Sequence, residues 1–205
     1  RYGLVRPLAC WLFGQLDQVM VQDETYRKRF VELGVKADRV ASTGSLKWDS
    51  ANPESDENTF EQPVSDFCKA VGLDRGKPVL VAGSTADEIE EEAIIRAYQQ
   101  ARVRQPDLQL VIAPRKPERF DHVSRLIRTR GFRVVRRSEH PDGTELSRSS
   151  SPVASSVVLL DTMGELRRAY AAAWLVIIGR TFVPFGGSDV MEVAGLAKPM
   201  IMGPY

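Results

Sequence analysis

The chain has 205 residues, of which 43% are hydrophobic and 27% charged, and its formal net charge is +1. This apolar content is enough for one complete domain together with part of another. A net charge near zero gives no global argument for a nucleic-acid partner, and no stretch approaches the roughly 18 to 20 uninterrupted apolar residues of a membrane-spanning helix.

The first part of the chain predicts alternating helices and strands. Apolar residues at helical spacing predict a helix over 4–16, whose apolar side would serve either as core or as a membrane contact, and the short apolar run at 18–22 predicts a buried strand. Asp23 is typical of a helix N-cap, and the helix that it begins is expected to stop at Gly34. A second strand is expected over 39–45.

A polar segment then separates two parts of the chain. Residues 49–61 are rich in Pro, Asn, Ser and Glu, a composition that is typical of a linker. We therefore predict that 1–45 are the end of an N-terminal domain, 46–64 a linker and 65–205 most of a C-terminal domain. Because the sequence opens without an initiator Met, we expect a fragment of a longer protein.

The second part shows a regular alternation of apolar strands and amphipathic helices. Such a pattern predicts an α/β fold with an open parallel sheet, Rossmann-like, and helices on both faces. A Ser/Pro/Gly-rich loop is expected over 138–156. The predicted strands are 78–84, 108–114, 132–137, 157–161, 174–179 and 199–203, and the predicted helices are 86–104, 118–131, 163–173 and 189–197.

Cysteine and histidine are scarce. Cys10 and Cys68 are far apart and lack C-x-x-C spacing, which favours a reducing compartment over a disulfide framework. The two histidines, His122 and His140, argue against a His-rich metal site and weaken any Ser-His-Asp interpretation, so we predict no metal site.

In such sheets ligands bind at the carboxyl ends of the strands, so the joints that follow the strands are the candidate sites. The first joint is Gly83-Ser84-Thr85. One interpretation is an ordinary turn in which Ser84 or Thr85 caps the next helix. The other is that this small, hydroxyl-rich turn admits a sugar or phosphate close to the backbone.

The second joint places two cations between prolines. Arg115 and Lys116 lie between Pro114 and Pro117, which restrict the backbone at the end of a predicted strand. The planar guanidinium of Arg115 suits phosphate oxygens, so we predict a phosphate contact there. Arg119, a turn further on, is predicted to be a surface residue.

The third joint follows the apolar run that ends at Leu160. Thr162 and Glu165 match the S/T-x-x-E capping box, which is the simplest explanation of this joint. Met163 and Gly164 would then occupy early helical positions, where Gly weakens a helix by about 1 kcal/mol relative to Ala. Bare backbone N–H groups at a helix start can also bind an anion or the edge of a base, and the two interpretations are compatible.

The fourth joint contains Gly186-Gly187, which predicts a close-approach turn, followed by Ser188 or Asp189 as a helix cap. Glu192 lies near the start of that helix, where its carboxylate could accept hydrogen bonds from two vicinal ribose hydroxyls. Its alternative role is to complement the helix dipole. Neither G-x-G-x-x-G after the first strand nor a Walker-type motif occurs, which disfavours dinucleotide oxidoreductases and P-loop NTPases.

Taken in order, "GSLKWD" (44–49), "GST" (83–85), "APRKPERF" (113–120), "DTMGEL" (161–166) and "FGGSDVMEVAGLAKP" (185–199) resemble the 3-deoxy-D-manno-octulosonic acid (Kdo) transferases of lipopolysaccharide synthesis. The resemblance covers nearly the whole chain. It implies a GT-B glycosyltransferase fold, in which two Rossmann-like domains face each other across a cleft. It also implies inverting transfer of Kdo from CMP-Kdo to a lipid A precursor, on the cytoplasmic face of the bacterial inner membrane.

The resemblance also assigns roles to individual residues. It implies that Arg115 meets the CMP phosphate, that the backbone of 163–165 holds the cytidine, and that Ser84 lies near the transferred sugar. The residues expected to bind the donor are Ser84, Arg115, Lys116, Thr162, Met163, Gly164, Glu165, Gly186, Gly187 and Glu192, with Lys47 near the cleft between domains.

The catalytic base is expected elsewhere. In the family a carboxylate from the N-terminal domain, ahead of residue 1 here, would deprotonate the acceptor hydroxyl. We therefore expect the 205 residues alone to bind nucleotide weakly without turnover, to need no cofactor besides the donor substrate, and to have no nucleic-acid partner. Contact with the inner membrane is expected through the missing N-terminal part.

Three departures from the family pattern bear on the donor. Ala86 stands where the family often has His, Asp189 replaces Asn, and Val193 replaces Pro. Asp189 would place a negative charge near an anionic donor unless a cation offsets it. Two alternatives therefore stay open: a GT-B enzyme or epimerase that uses another nucleotide sugar, and a non-catalytic nucleotide-binding module.

Overall fold

The computed structural model describes residues 5–45, 57–140 and 156–205 of the chain. They belong to two compact units, Arg1–Asn52 and Pro53–Tyr205. Each unit has its own hydrophobic core and is described separately below.

The first unit is a small α/β unit. Helix α1 (Arg6–Phe13) leads to strand β1 (Val19–Val21), and helix α2 (Glu24–Glu32) leads to strand β2 (Val40–Ser42), which pairs with β1 in parallel. The Asp23 side chain accepts a hydrogen bond from the backbone N–H of Tyr26 at 2.9 Å, so the predicted N-cap is confirmed. The side of α1 that carries Leu8 and Trp11 is exposed.

The described part of the second unit contains six parallel strands and five α-helices. Its elements in chain order are α3 (Glu57–Val71), β3 (Val79–Thr85), α4 (Glu88–Arg104), β4 (Gln109–Pro114), α5 (Phe120–Thr129), β5 (Arg133–Arg136), β6 (Ser156–Leu159), α6 (Leu166–Ala172), β7 (Leu175–Ile178), α7 (Met191–Gly195) and β8 (Met200–Ile201).

The strands of this sheet lie in the order β5-β6-β4-β3-β7-β8. The chain moves from β3 outward through β4 on one side, and later crosses to β7 on the other side of β3. The strand order therefore reverses between β3 and β7. In open α/β sheets, the crevice outside the carboxyl ends of two such strands is the usual ligand site.

Hydrophobic cores cover both faces of the sheet. Alternate residues of each strand point to opposite faces, so Val81 and Val111 pack with α3 and α6, whereas Ala82 and Ile112 pack with α4 and α5. Strands β3, β4 and β6 are almost wholly buried, which explains their continuous apolar sequences. The predicted fold class, an α/β fold with a Rossmann-like parallel sheet and helices on both faces, is confirmed.

The predicted linker needs a correction. Helix α3 begins at Glu57, so the last part of 46–64 is helical, and Val64 and Phe67 lie in the core. The largely polar composition of the first turns hid this helix, whose described buried residues begin at Val64. Of the predicted loop 138–156, residues 141–155 lie outside the described residues, 137–139 form a 3-10 turn, and Ser156 already belongs to β6.

Within the part of the chain that the structure describes, no helix combines the length and the apolar character needed to cross a membrane.

Candidate functional site

The ends of β3 and β7 are in backbone contact at the point where the strand order reverses. The N–H of Gly179 donates to the carbonyl of Gly83 at 2.8 Å. A Cβ on Gly179 would lie 2.5 Å from the carbonyl carbon of Ser84, so only glycine fits there. Ser84 itself has φ of +60°, and the β3–β4 register shifts between Gly83 and Thr85. This irregular, left-handed turn directs Ser84 out of the strand.

Tyr170 of α6 supports this turn from beneath. A side chain at Gly83 would overlap the Tyr170 ring and hydroxyl, so glycine is required for the close approach. Burial raises the pKa of Tyr170 to about 12, whereas a hydrogen bond between its hydroxyl and the Ser84 side chain acts in the opposite direction, and the charge of Glu192 adds to the rise. Tyr170 thus interacts with two predicted site residues, with Ser84 through a hydrogen bond and with Glu192 through its charge. The sequence had shown it only as one apolar position of a helix.

The predicted cap at this joint is wrong. Neither Ser84 nor Thr85 caps α4, because the Asp87 carboxylate accepts from the N–H of Ile89 at 2.9 Å and serves as N-cap. The Thr85 hydroxyl instead donates to the buried carboxylate of Glu91 at 2.9 Å. Because Ser84 does not cap the helix, its side chain is available to contact Tyr170 and a ligand at this edge of the sheet.

Glu90, in the first turn of α4, is almost completely buried beside the turn after β7. Its carboxylate accepts from the N–H of Ala86 at 3.2 Å. Burial raises the pKa of Glu90, and the N–H groups of Ala86, Arg180 and Phe182 act against this rise. Glu90 therefore connects the joint after β3 with the turn after β7. In the sequence it had the appearance of an ordinary acidic residue that complements a helix dipole.

Arg115 and Lys116 lie at the carboxyl end of β4, and both are exposed. The backbone N–H of Arg115 donates to the carbonyl of Thr85 at 2.8 Å, which holds this joint against the end of β3. Among the residues that the structure describes, no carboxylate forms an ion pair with either cation, so both are available to an anion.

Arg119 was predicted to be a surface residue, and this is wrong. Its guanidinium donates through Nη2 and Nε to the two carboxylate oxygens of Glu91, at 2.5 and 3.2 Å. Glu91 is fully buried, and a buried charge needs such a partner. Arg119 therefore holds the joint after β4 to helix α4.

The joint after β6 is not a capping box. Helix α6 begins at Leu166, not near 163, and Glu165 is its N-cap without a side-chain cap bond. Gly164 has φ of +81° and is a turn residue rather than a helical one. The Thr162 hydroxyl donates directly to the Glu165 carboxylate, so the two side chains bond to each other and not to orphan backbone groups.

Asp161, just before this turn, is held by the end of β5 and the 3-10 turn that follows it. Its carboxylate accepts from Arg136 Nε at 2.6 Å and from the Ser138 N–H and hydroxyl at 2.8 and 2.7 Å. Burial acts to raise the pKa of Asp161, but the hydrogen bonds from Ser138 and Arg136 outweigh it and the pKa is lowered. None of these partners was predicted, because they lie more than twenty residues away in sequence.

The joint after β7 contains the predicted glycine turn. Gly186 and Gly187 have φ of +76° and +73°, and the N–H of Gly187 donates to the carbonyl of Arg180 at 3.2 Å. Helix α7 covers only Met191–Gly195, a shorter span than the predicted 189–197. The Asp189 carboxylate accepts from the N–H of Met191 at 3.0 Å, so it lies beside the helix start as expected of a capping residue. Glu192 is exposed.

The four predicted joints follow four neighbouring strands, β6, β4, β3 and β7. At about 4.8 Å per strand, they span roughly 15 Å of one sheet edge, which matches a nucleotide in length. Lys47 lies outside the described residues. Within the described ranges, no group of three or more His, Cys, Asp or Glu could hold a metal ion.

Comparison with known proteins gives consistent results. The family model of 3-deoxy-D-manno-octulosonic-acid transferase (kdotransferase) matches residues 1–50. A 3-deoxy-D-manno-octulosonic acid transferase of Bordetella pertussis is 32% identical over 193 residues, which cover 93% of this chain and 41% of the relative. One of Haemophilus influenzae is 28% identical over 206 residues, covering 100% of this chain and 44% of the relative. The chain therefore spans less than half the length of these relatives.

A solved structure is similar to the described fold. The C-terminal CMP-Kdo binding domain of WaaA from Acinetobacter baumannii superimposes with a TM-score of 0.59 at 28% identity, over 71% of each chain.

Proposed function

The chain belongs to the family of 3-deoxy-D-manno-octulosonic acid transferases, and we propose that it supplies the donor-binding part of an inverting glycosyltransferase. The proposed reaction moves Kdo from CMP-Kdo to a lipid A precursor in lipopolysaccharide synthesis. The observation that carries the proposal is the position of the four joints, which follow four neighbouring strands at the ligand edge of one parallel sheet.

In this proposal each joint meets a different part of the donor. Arg115 and Lys116 bind the phosphate, since they are exposed cations held at the sheet edge and not neutralised by a described carboxylate. A guanidinium at that place stabilises the negative charge that develops on the departing CMP phosphate. This stabilisation comes from the protein itself, so the proposed transfer needs no cofactor besides the donor.

The nucleoside lies between the outer joints. The exposed backbone of Met163 and Gly164 is proposed to hold the cytosine, because the turn leaves these groups at the surface. Glu192, with Gly186 and Gly187 beside it, is proposed to accept the ribose hydroxyls. Ser84, held in its left-handed turn at the strand-order reversal, is proposed to contact the transferred sugar.

The acceptor and the location follow from the family alone. We propose a lipid A precursor as acceptor and the cytoplasmic face of the bacterial inner membrane as the site of action. Lys47 stays a prediction for the cleft between domains, and the general base is proposed to come from the N-terminal domain, ahead of residue 1.

Calorimetric titration of the 205-residue protein with CMP, UMP and UDP tests the donor class. We expect CMP to bind most tightly, and a preference for UDP would favour a different nucleotide sugar. Arg115→Ala is expected to weaken CMP binding about tenfold or more, the size of a charged hydrogen bond. Arg125→Ala, an exposed arginine of α5, is the matched control and should bind as the unaltered protein does.

Arg115→Ala also separates the enzyme from a binding module that has lost its chemistry. If this variant binds CMP with unchanged affinity, the phosphate role is wrong and the module interpretation gains support.

A further inference from the structure

Two adjacent arginines at the end of β5 hold the two acidic residues that bracket the turn after β6. Arg136 donates to Asp161 at 2.6 Å, and Arg137 Nη2 donates to Glu165 at 3.0 Å. The turn is therefore held at both ends, by the last residue of β5 and by the first residue of the 3-10 turn that follows it. Between Asp161 and Glu165, Met163 and Gly164 form the exposed tip of the turn.

Asp161 and Glu165 differ in how far their hydrogen bonding depends on a single arginine. Asp161 keeps the two hydrogen bonds from Ser138 if Arg136 is removed. Glu165 is held by Arg137, by the partly exposed Arg168 of its own helix at 3.1 Å, and by Thr162 of the same turn. Arg137 is thus the contact that joins Glu165 to the segment that follows β5.

Burial makes this contact strong. The side chains of Arg137 and Glu165 are 11% and 12% exposed, so water competes little for either charge. Arg137 also donates through Nη1 to the carbonyl of His140, which holds its own loop in place. A buried ion pair fixed at both ends restrains the backbone on either side of it, and here that backbone is the turn with Gly164 in the left-handed region.

The pair has an electrostatic consequence as well. Without Arg137, only the partly exposed Arg168 would offset the negative charge that Glu165 places beside the position proposed for an anionic nucleotide. With Arg137 as its partner, the carboxylate is neutralised before any ligand arrives. The turn can then present backbone groups to a nucleobase without repelling the phosphate.

We infer that Arg137 is a positioning residue for nucleobase binding: through its ion pair with Glu165 it fixes the Met163–Gly164 backbone. This inference rests on the proposed function, in which that backbone holds the cytosine. Arg137 touches no substrate atom in this scheme. Arg137 therefore influences binding of the base and not binding of the phosphate, which Arg115 contacts at the end of another strand.

The test compares CMP with ribose 5-phosphate, which has the sugar and phosphate but no base. Binding of both to the 205-residue protein is measured by calorimetry for the unaltered chain and for Arg137→Met. We expect Arg137→Met to weaken CMP binding about tenfold or more and to leave ribose 5-phosphate binding within about twofold. Arg133→Met, an exposed arginine of the same strand, is the control and should change neither.

A general loss of structure would weaken both ligands, so the ratio of the two affinities is the decisive quantity. An unchanged ratio in Arg137→Met overturns the inference. If that variant does not fold, Glu165→Gln removes the same ion pair with little change of shape, and it should reduce the ratio in the same direction. In the double variant, the two effects should not add, because each change removes the same contact.

The same measurements distinguish this inference from the proposed function. If the unaltered protein does not prefer CMP over ribose 5-phosphate, the proposed cytosine contact is wrong and the inference falls with it. If the unaltered protein prefers CMP and Arg137→Met keeps that preference, only the role of Arg137 is wrong.

Discussion

Arg119 and Glu91 form an ion pair in which one partner is fully buried. Arg119 Nη2 lies 2.5 Å from Oε2 of Glu91, and the Glu91 side chain has no exposed surface. The hydroxyl of Thr85 donates to the other carboxylate oxygen. Three joint segments thus meet at one carboxylate: the end of β3, the start of α4 and the turn after β4. The buried contacts of Glu91 therefore stabilise the edge of the sheet at which we expect the ligand.

Arg119→Met should destabilise the protein strongly. The change leaves the Glu91 charge buried without its cationic partner, and breaking a buried pair in this way costs about 3 to 5 kcal/mol. The free energy of unfolding in urea measures the loss. Arg125→Met, on the exposed side of α5, should change it by no more than about 0.5 kcal/mol. Adding Glu91→Gln to Arg119→Met should restore part of the loss, and a single variant within about 1 kcal/mol of the unaltered protein would contradict this account.

The sequence predicted the sheet well because its signals are local. Continuous apolar runs such as the one around Val81 indicate strands buried on both faces, and Asp23 indicates a helix start by its own chemistry. The rule that ligands bind at strand ends then identified four joints, which the structure places after four neighbouring strands. Hydrophobic periodicity, capping residues and topology rules were sufficient to predict the sheet and the joints at its ligand edge.

The details of the joints could not be predicted, because they depend on partners far away in sequence. Glu91 and Arg119 are 28 positions apart, as are Arg137 and Glu165, and no local pattern relates them. The motif from Thr162 to Glu165 satisfied a local rule, yet the competing ion pairs and the left-handed Gly164 gave a turn instead of a capping box. Tertiary contacts outweighed local preference there.

Gly179→Ala should disrupt the strand-order reversal. A Cβ at Gly179 would meet the backbone of Ser84 and Thr85 at 2.5 and 2.6 Å, and backbone atoms cannot rotate away as a flexible side chain can. We expect a loss of about 2 kcal/mol or more in unfolding free energy, together with weaker CMP binding. Gly131→Ala is a useful comparison: its φ is +84°, but nothing lies within 4 Å of the added carbon, so its cost should be about 1 kcal/mol with unchanged binding. Equal effects of the two changes would show that steric contact at the reversal is not decisive.

Tyr170→Phe should change how stability depends on pH. The pKa of Tyr170 is raised from 10.0 to about 12 in the folded protein, chiefly by burial. Between these values the unfolded chain loses the proton while the folded protein keeps it, so stability falls as pH rises, by about 1.4 kcal/mol per pH unit at most. The variant lacks this contribution.

Urea unfolding at pH 8, 10 and 11 tests this expectation. Near pH 8 the variant should be less stable by about 1 kcal/mol, because its hydrogen bond with Ser84 is lost. The difference between the two proteins should then shrink as the pH rises from 10 to 11, since only the unaltered protein carries the Tyr170 proton. The other tyrosines are common to both proteins and cancel in the comparison. Parallel stability curves would exclude a raised pKa at Tyr170.

The two cysteines should differ sharply in their reactivity toward a thiol reagent such as Ellman's reagent. Cys68 is buried in the core beneath the sheet, and burial raises its pKa to about 11, so at pH 8 on the order of one molecule in a thousand carries the reactive thiolate. Cys10 is only partly buried. At pH 8 the native protein should therefore release one equivalent of the coloured product quickly, from Cys10. The second equivalent, from Cys68, should appear only after denaturation. Cys10→Ser should abolish the fast phase and Cys68→Ser should retain it. Rapid labelling of the native Cys10→Ser variant would mean that the core between α3 and the sheet opens far more readily than its packing implies.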